Sequence, residues 1–223
     1  MKRQFIETAD GSTSIYIEEM DEHYHSKHGA IAESNHIFIE NGLLSKRELD
    51  RIHVFEVGMG TGLNVLTSIK ALQLNKLAIN YKAVEAYPIK MEELPFINFS
   101  NLLGVEEVLF KKVHECPWEE EVQLLPHFKL TKFQSKLEVL DLGQEQFDVV
   151  YFDAFAPEKQ EEMWTEAIFK KLFNALKPEG ILVTYCVKGV IRRLLQSVGF
   201  TVEKLKGPLG GKREMCRATK VKD

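Results

Sequence analysis

The sequence predicts an α/β protein built on a doubly wound, mostly parallel sheet with an N-terminal hairpin extension. Three observations predict it. From about residue 51 onward, apolar strand-forming runs alternate with helical runs. Two of the strands, at 53–57 and 147–153, are nearly continuous apolar runs, as parallel strands covered on both faces are. The first stops at a cluster of glycines and the second in the carboxylate of Asp153. The carboxyl ends of strands are where open α/β sheets bind ligands.

The elements follow in order. Residues 4–18 read as a hairpin, because Asp10-Gly11 is a turn signal between two short strand-like runs, the second being Ser14-Ile15-Tyr16-Ile17. Residues 30–39 carry a helical pattern in Ala30, Ile31, His36, Ile37 and Phe38. His53 to Val57 is a strand, and Leu63 to Leu74 is a helix with Leu63, Leu66, Ile69 and Leu74 in helical spacing. Ala78 to Glu85 reads as a second strand, Pro88 to Leu103 as partly helical, and 128–140 as holding a further strand. Met163 to Leu176 is an amphipathic helix ended by Lys177-Pro178-Glu179-Gly180. Ile181 to Val187 is an apolar strand, Gly189 to Val198 a helix, and Phe200 to Leu205 with Glu214 to Thr219 a closing pair of strands. The expected organisation is a single domain, with residues 1–50 an extension packed on a core of 51–223.

Composition narrows the function classes. The chain has 223 residues, 44% of them hydrophobic, enough for one sizeable core. No apolar segment approaches the roughly 20 residues of a membrane helix, and no apolar signal region follows the basic start Met1-Lys2-Arg3. Cys116, Cys186 and Cys216 lie far apart, in no zinc-like spacing and no disulfide frame. A reducing cytoplasm is the expectation, with no membrane partner and a monomer. His23, His25 and His28 are clustered, but their spacing suits no common metal site, so no metal is expected; a polar loop or a lid over a ligand is the reading. No Ser-His-Asp arrangement is readable, and no phosphate-loop lysine follows the glycines. Trp164, Phe169 and Cys186 read as core.

The net charge of -4 is unevenly spread. Residues 186–223 carry 10 basic and 3 acidic side chains, which leaves 19 basic and 30 acidic ones elsewhere. Such a basic segment suits an anionic partner or an ordinary solvated surface. Its members include Lys188, Arg192 and Arg193 at the start of a helix, and Lys212 and Arg213 after a glycine-rich loop. Backbone phosphates attract such groups without any sequence being read.

Three places can carry chemistry. The loop Glu56-Val57-Gly58-Met59-Gly60-Thr61-Gly62 lies between a strand and a helix. Its glycines permit a tight turn and a close ligand, but Leu63 stands where a dinucleotide fingerprint needs its third glycine. Glu85 ends the next strand, at the distance from the loop where an acid accepts hydrogen bonds from ribose hydroxyls. Asp153 ends a central strand beside the same point. A carboxylate there can orient an amine and take up its proton. Phe155 can wall the pocket and tolerate a cation against its face, and Pro157 would fix the loop.

These strings together resemble a known family. EVGMGTGLN (56–64), FDVVYFDAFAPEKQEEMW (147–164), GILVTYCVKGVIRRLLQSVGF (180–200), GPLGGKREM (207–215) and YHSKHGAIAESNHIFIENGLL (24–44) are similar to the methyltransferase domain of the bacterial tRNA-modifying enzyme MnmC and its stand-alone MnmD-type relatives. The resemblance implies a class I methyltransferase fold, Rossmann-like, with S-adenosyl-L-methionine as cofactor and tRNA as partner. It implies methylation of the amine of 5-aminomethyl-(2-thio)uridine at the tRNA wobble position. By motif position it implies Glu56, Gly58, Met59, Gly60, Thr61, Gly62, Asn64 and Glu85 on the cofactor, and Asp153 at the acceptor amine. Phe155, Pro157, Lys188, Arg192, Arg193, Lys212 and Arg213 would then lie on the substrate side.

The chain also departs from its relatives. It leaves no room for the flavin-dependent oxidase domain of the bifunctional members, so it is not expected to convert the carboxymethyl precursor. The place where many class I methyltransferases hold the adenine falls at Ser135-Lys136, with Asp141 later. Two other readings stay open on the residues alone. One is a small-molecule amine methyl- or aminopropyltransferase on the same fold, and the other an RNA-binding module without catalysis.

Overall fold

A computed structural model describes residues 2–208 and 214–222. Lys212 and Arg213 lie outside the described residues. The chain opens with a small antiparallel sheet of β1 (Arg3–Glu7), β2 (Thr13–Ile17) and β3 (Glu22–His23), in that order. Arg3 pairs with Ile17 and Glu7 with Thr13, so the hairpin turns at Asp10-Gly11 as expected. A helix follows, α1 (Ala30–Ser34), which widens into a π-helical turn at Asn35–Glu40. Ile15, Ala30, Ile37, Phe38 and Leu43 are buried in the same cluster as the strands of the main sheet.

The main sheet alternates strand and helix. Its elements are β4 (Ile52–Val57), α2 (Leu63–Asn75), β5 (Ile79–Val84), α3 (Phe99–Leu103), α4 (Glu107–Glu115), β6 (Glu121–Leu125), β7 (Phe128–Phe133), β8 (Phe147–Phe152), α5 (Glu166–Ala175), β9 (Leu176–Thr184), α6 (Gly189–Ser197), β10 (Phe200–Lys206) and β11 (Glu214–Lys220). The strand order is β10-β11-β9-β8-β4-β5-β7-β6. The five central strands are parallel, while β11 runs antiparallel between β9 and β10, and β6 runs antiparallel at the other edge. The sheet is therefore doubly wound and mostly parallel, with β4 and β8 side by side at the point where the connections change direction.

Period-two alternation fills both faces. Val54 of β4, Val149 and Tyr151 of β8 and Val183 of β9 pack into one buried cluster, with α2. Phe55 and Val57, Val150 and Phe152, and Leu182 pack into the other, with α5 and α6. All six residues of β8 are buried, which is why its sequence is apolar apart from Asp148, whose carboxylate pairs with Lys177.

Several expected boundaries move. The strand within 128–140 ends at Phe133, and the one at 147–153 ends at Phe152, so Asp153 begins the loop. The helix over 163–176 starts only at Glu166, behind the Thr165 cap, which accepts from the Ile168 amide at 3.4 Å. Ala175 ends it, but β9 begins at once and carries the Lys-Pro-Glu-Gly run inside an irregular stretch. There Phe147 faces Leu176 and Val149 faces Ile181, and Glu179 takes a φ of 63°. The turn residues mark a bulge as well as a helix end. The chain also forms α4 and β6, where the sequence suggested no element. α4 buries only Phe110 and Val113, too thin an apolar face to stand out. Among the described residues no helix is long and apolar enough to cross a membrane.

Candidate active site

The carboxyl ends of β4, β5 and β8 are tied together by backbone bonds. The Gly58 amide donates to Val84 O at 3.1 Å, and the Asp153 amide to Val57 O at 3.1 Å. Above them lies a cavity of about 400 Å³, walled by these three strand ends, by 135–138 and by 22–28 of the N-terminal sheet.

The glycine loop is shaped for close approach. Gly58 has a φ of +85°, and a Cβ there would lie 2.7 Å from Asp153 O. Gly60 has a φ of +48°, and a Cβ there would meet the Tyr24 ring at 3.0 Å. Neither position accepts a larger residue without strain. The Gly60 amide donates to Glu85 Oε2 at 2.8 Å, and the Tyr87 amide to Glu85 Oε1 at 2.8 Å. The acid thus spans the loops after β4 and β5, and each oxygen keeps a second lone pair.

The loop after β8 is pinned at both faces. The Trp164 indole donates to Phe155 O at 2.7 Å, the Phe155 amide to Gln160 Oε1 at 3.1 Å, and the Tyr185 hydroxyl to Ala154 O at 2.8 Å. Phe155 meets the Tyr24 ring edge-on, with centroids 5.3 Å apart. Burial pushes the Tyr24 hydroxyl up to about 12, with the Arg3 charge opposing it, so it stays protonated. Arg3 reaches Tyr24 Oη at 3.3 Å, Tyr87 O at 2.7 Å and Glu93 Oε2 at 2.7 Å. The N-terminal sheet is thereby strapped to the loop that follows Glu85.

Two neutral histidines support the glycine loop. His25 Nε2 lies 2.7 Å from Thr61 Oγ1, and burial lowers its pKa to about 4. His114 Nε2 donates to Thr61 O at 3.2 Å, and its pKa falls to about 4, through burial first and the Lys132 charge second. Lys132, wholly buried, donates to His114 O at 2.7 Å and lies 4.5 Å from the centre of the Trp118 ring.

Asp153, Gly58, Met59, Gly60, Asn64, Glu85 and Phe155 all line the one cavity. Glu56, Thr61 and Gly62 do not reach its wall. Glu56 is fully buried with Asn64 Nδ2 at 2.9 Å from its Oε1, and burial, more than the nearby Asp153 charge, raises its pKa well above the carboxylate range. Thr61 turns to His25, and Gly62 starts α2 against the His114 ring. Pro157 is half-buried in the loop beyond the wall.

The basic residues stand apart from the cavity. Lys188 is ion-paired to Glu158, and Arg192 Nε donates to Val187 O at 3.2 Å. Arg193 is exposed on α6. Lys204 and Arg217 pair with Glu214 and Glu203 across the last hairpin, which spends part of the positive charge locally. Sequence reasoning missed Tyr24, Gln160, Tyr185 and Ser34, whose approach to the site depends on tertiary contacts. His25 it saw only as part of a lid. Ser135 and Lys136 do line the cavity, whereas Asp141 Oδ1 only accepts from the Gly143 amide in a local turn. Among the described residues no group of His, Cys, Asp and Glu is arranged to hold a metal ion, and all three cysteines are buried thiols.

The comparisons agree with this geometry. A crystal structure of MnmC2 from Aquifex aeolicus is 26% identical, superposes with a TM-score of 0.76, and is matched over 97% of this chain and 70% of that one. Spermidine synthase from Thermotoga maritima, 14% identical, matches 99% of this chain and 70% of its own with a TM-score of 0.59, a likeness of fold. A family model described as S-adenosyl-L-methionine-dependent methyltransferase matches residues 109–221. The cavity, the cradle at Gly58 and Gly60, and the acid at Glu85 fit that cofactor. The chain belongs to this family of S-adenosyl-L-methionine-dependent methyltransferases, the family of the MnmC methyltransferase domain.

Proposed function

We propose that the protein transfers a methyl group from S-adenosyl-L-methionine to the amine of 5-aminomethyl-(2-thio)uridine at the wobble position of tRNA, giving the 5-methylaminomethyl nucleoside. The observation that carries this reading is the acid lining of the cavity. Glu22, Glu33, Glu85, Glu138, Asp153 and Glu162 face it against Lys27 and Lys136. Such a wall favours a cationic donor and a basic acceptor, and disfavours a phosphate inside. The polynucleotide backbone therefore stays outside, and a single nucleoside side chain enters.

When bound, the cofactor supplies an electrophilic methyl group on a sulfonium. The protein's work is then placement and proton handling. Glu85 and the close-approach surface at Gly58 and Gly60 would hold the donor. The Asp153 carboxylate accepts a hydrogen bond from the amine and draws its extra proton, so that the nitrogen lone pair is available for attack. The amine would then take the methyl group with loss of the donor's neutral thioether, and the secondary ammonium so formed would shed its proton to solvent. Tyr24 and Phe155 offer aromatic surface for the base. The match of the DAFAP and KREM strings to the MnmC domain supports tRNA as carrier. Lys188, Arg192, Arg193, Lys212 and Arg213 are proposed to meet its phosphates.

Nucleoside mass spectrometry of tRNA from cells with and without the gene tests the reading. Loss of the methyl from the aminomethyl uridine is the expected result. An unchanged nucleoside, with methylated free amines lost from the same cells, would favour the small-molecule reading.

A further inference from the structure

Asn64, in the first turn of α2, is buried and touches three separate parts of the fold. Its Nδ2 donates to Asp153 Oδ2 at 2.9 Å and to Glu56 Oε1 at 2.9 Å. Its Oδ1 accepts from Ser34 Oγ at 2.6 Å. Ser34, the last residue of α1, is buried too, and lies 2.9 Å from Thr67 Oγ1.

These contacts fix the direction of the amide. The Asp153 carboxylate can be served only by the amino end of the amide, so its oxygen faces Ser34. The Ser34 hydroxyl has one proton and gives it to that oxygen, while the Thr67 hydroxyl finds acceptors in its own helix, Leu63 O at 3.1 Å and Asn64 O at 3.2 Å. A flipped amide would set its oxygen against the Asp153 carboxylate and leave that contact without a proton.

We propose, on the reading of the function given above, that Asn64 is a positioning residue for methyl transfer: its amide, oriented by Ser34, sets the plane of the Asp153 carboxylate toward the acceptor amine. By motif position the residue belonged with the cofactor. The geometry gives its amino group to the acids instead. Glu56 completes the arrangement. Besides Asn64, the Tyr81 hydroxyl is the hydrogen-bonding side chain that bears on it, set too loosely to complete a bond to Oε2. Buried and held neutral, Glu56 takes one donor of the amide without setting a second charge beside Asp153. The device also ties chemistry to the N-terminal extension, because Ser34 lies before β4 in the chain.

The test uses the full chain and the variants Asn64→Ala, Asn64→Asp and Ser34→Ala, compared at equal folded fraction by circular dichroism. Titration calorimetry with S-adenosyl-L-methionine gives cofactor affinity, and steady-state kinetics with tRNA carrying 5-aminomethyluridine gives kcat and KM. Asn64→Ala is expected to lower kcat by about 10- to 100-fold, as misplacement of a reacting group does, with cofactor affinity within about twofold. Asn64→Asp, which sets a third carboxyl group in the cluster, is expected to be worse, and Ser34→Ala milder. A kcat unchanged in Asn64→Ala, or an equal loss of cofactor affinity, overturns the proposal.

A wild-type chain that methylates no aminomethyl tRNA defeats the functional reading instead. The positioning role then still answers to carbon-13 NMR of the Asp153 carboxyl. Removing a donor that favours the charged form should raise its titration midpoint in Asn64→Ala. Among the described residues, Glu56 on β4, which also feels Glu85, Tyr81 on β5 and Tyr185 after β9 feel the Asp153 charge. The shift of each is upward, with burial the first cause. An unmoved midpoint overturns the proposal whatever the substrate.

Discussion

The Gly60 amide donates a 2.8 Å hydrogen bond to Glu85 Oε2. It joins the glycine loop after β4 to the acid after β5, so the two halves of the cofactor site share one hydrogen bond. Replacing Glu85 by Ala would remove both the proposed ribose acceptor and the tie. Hydrogen bonds to charged groups contribute about 1.5–3 kcal/mol, so cofactor affinity should fall by roughly 10- to 100-fold. Titration calorimetry measures it; affinity within a factor of two would remove Glu85 from the site.

Gly58→Ala should be harsher. The new Cβ would sit 2.7 Å from Asp153 O at a φ of +85°. The contact is with backbone, so β4 and the β8 loop must separate. A loss of about 1–3 kcal/mol in urea unfolding, of the order of strained backbone elsewhere, should accompany loss of methyl transfer. A stable and active variant would show that the loops yield freely.

Trp164→Phe keeps the packing against Phe152 and Phe169 but removes the 2.7 Å bond to Phe155 O. The stability cost should be about 1–3 kcal/mol. Because Phe155 follows Asp153 by two residues, kcat should fall while cofactor affinity holds. Kinetics and calorimetry on one preparation separate the two effects.

His25 and His114 make stability depend on pH. Both are neutral in the fold, with pKa values lowered to about 4, whereas the ordinary value is 6.5. Between those values the unfolded chain binds more protons. Their contribution is therefore complete above pH 6.5 and is lost as pH falls toward 4, on the order of 3 kcal/mol each. Urea midpoints measured from pH 7.5 to 4.5 should fall, and His25→Asn should flatten the slope. A slope unchanged in that variant would contradict the assignment.

Much of this was legible in the residues. The sheet could be read because strands buried on both faces are mostly apolar, as β4 is but for His53 and Glu56 and β8 but for Asp148. Asp153 and Glu85 could be read because each is an acid closing such a strand, where burial is costly without use. α4 and β6 could not, because Phe110 and Val113 alone mark one and an edge strand needs little apolar surface. Tyr24, Tyr185 and Ser34 were invisible for another reason. Each is ordinary in its own segment and gains its role only when the fold sets it against Phe155, Ala154 or Asn64. The charge of the last segment misled in part, since Lys204 and Arg217 are paired across their own hairpin.

The central claim is that this site methylates an amine carried on tRNA with Asp153 as the acid that meets it. The direct measurement is transfer of labelled methyl from S-adenosyl-L-methionine to tRNA bearing 5-aminomethyluridine, with wild type and Asp153→Ala side by side. The account predicts label on that nucleoside with wild type, none on tRNA lacking the aminomethyl group, and a loss of about 100-fold or more in the variant, with cofactor still bound. Label appearing equally on both tRNAs, or an Asp153→Ala enzyme as fast as wild type, would contradict it.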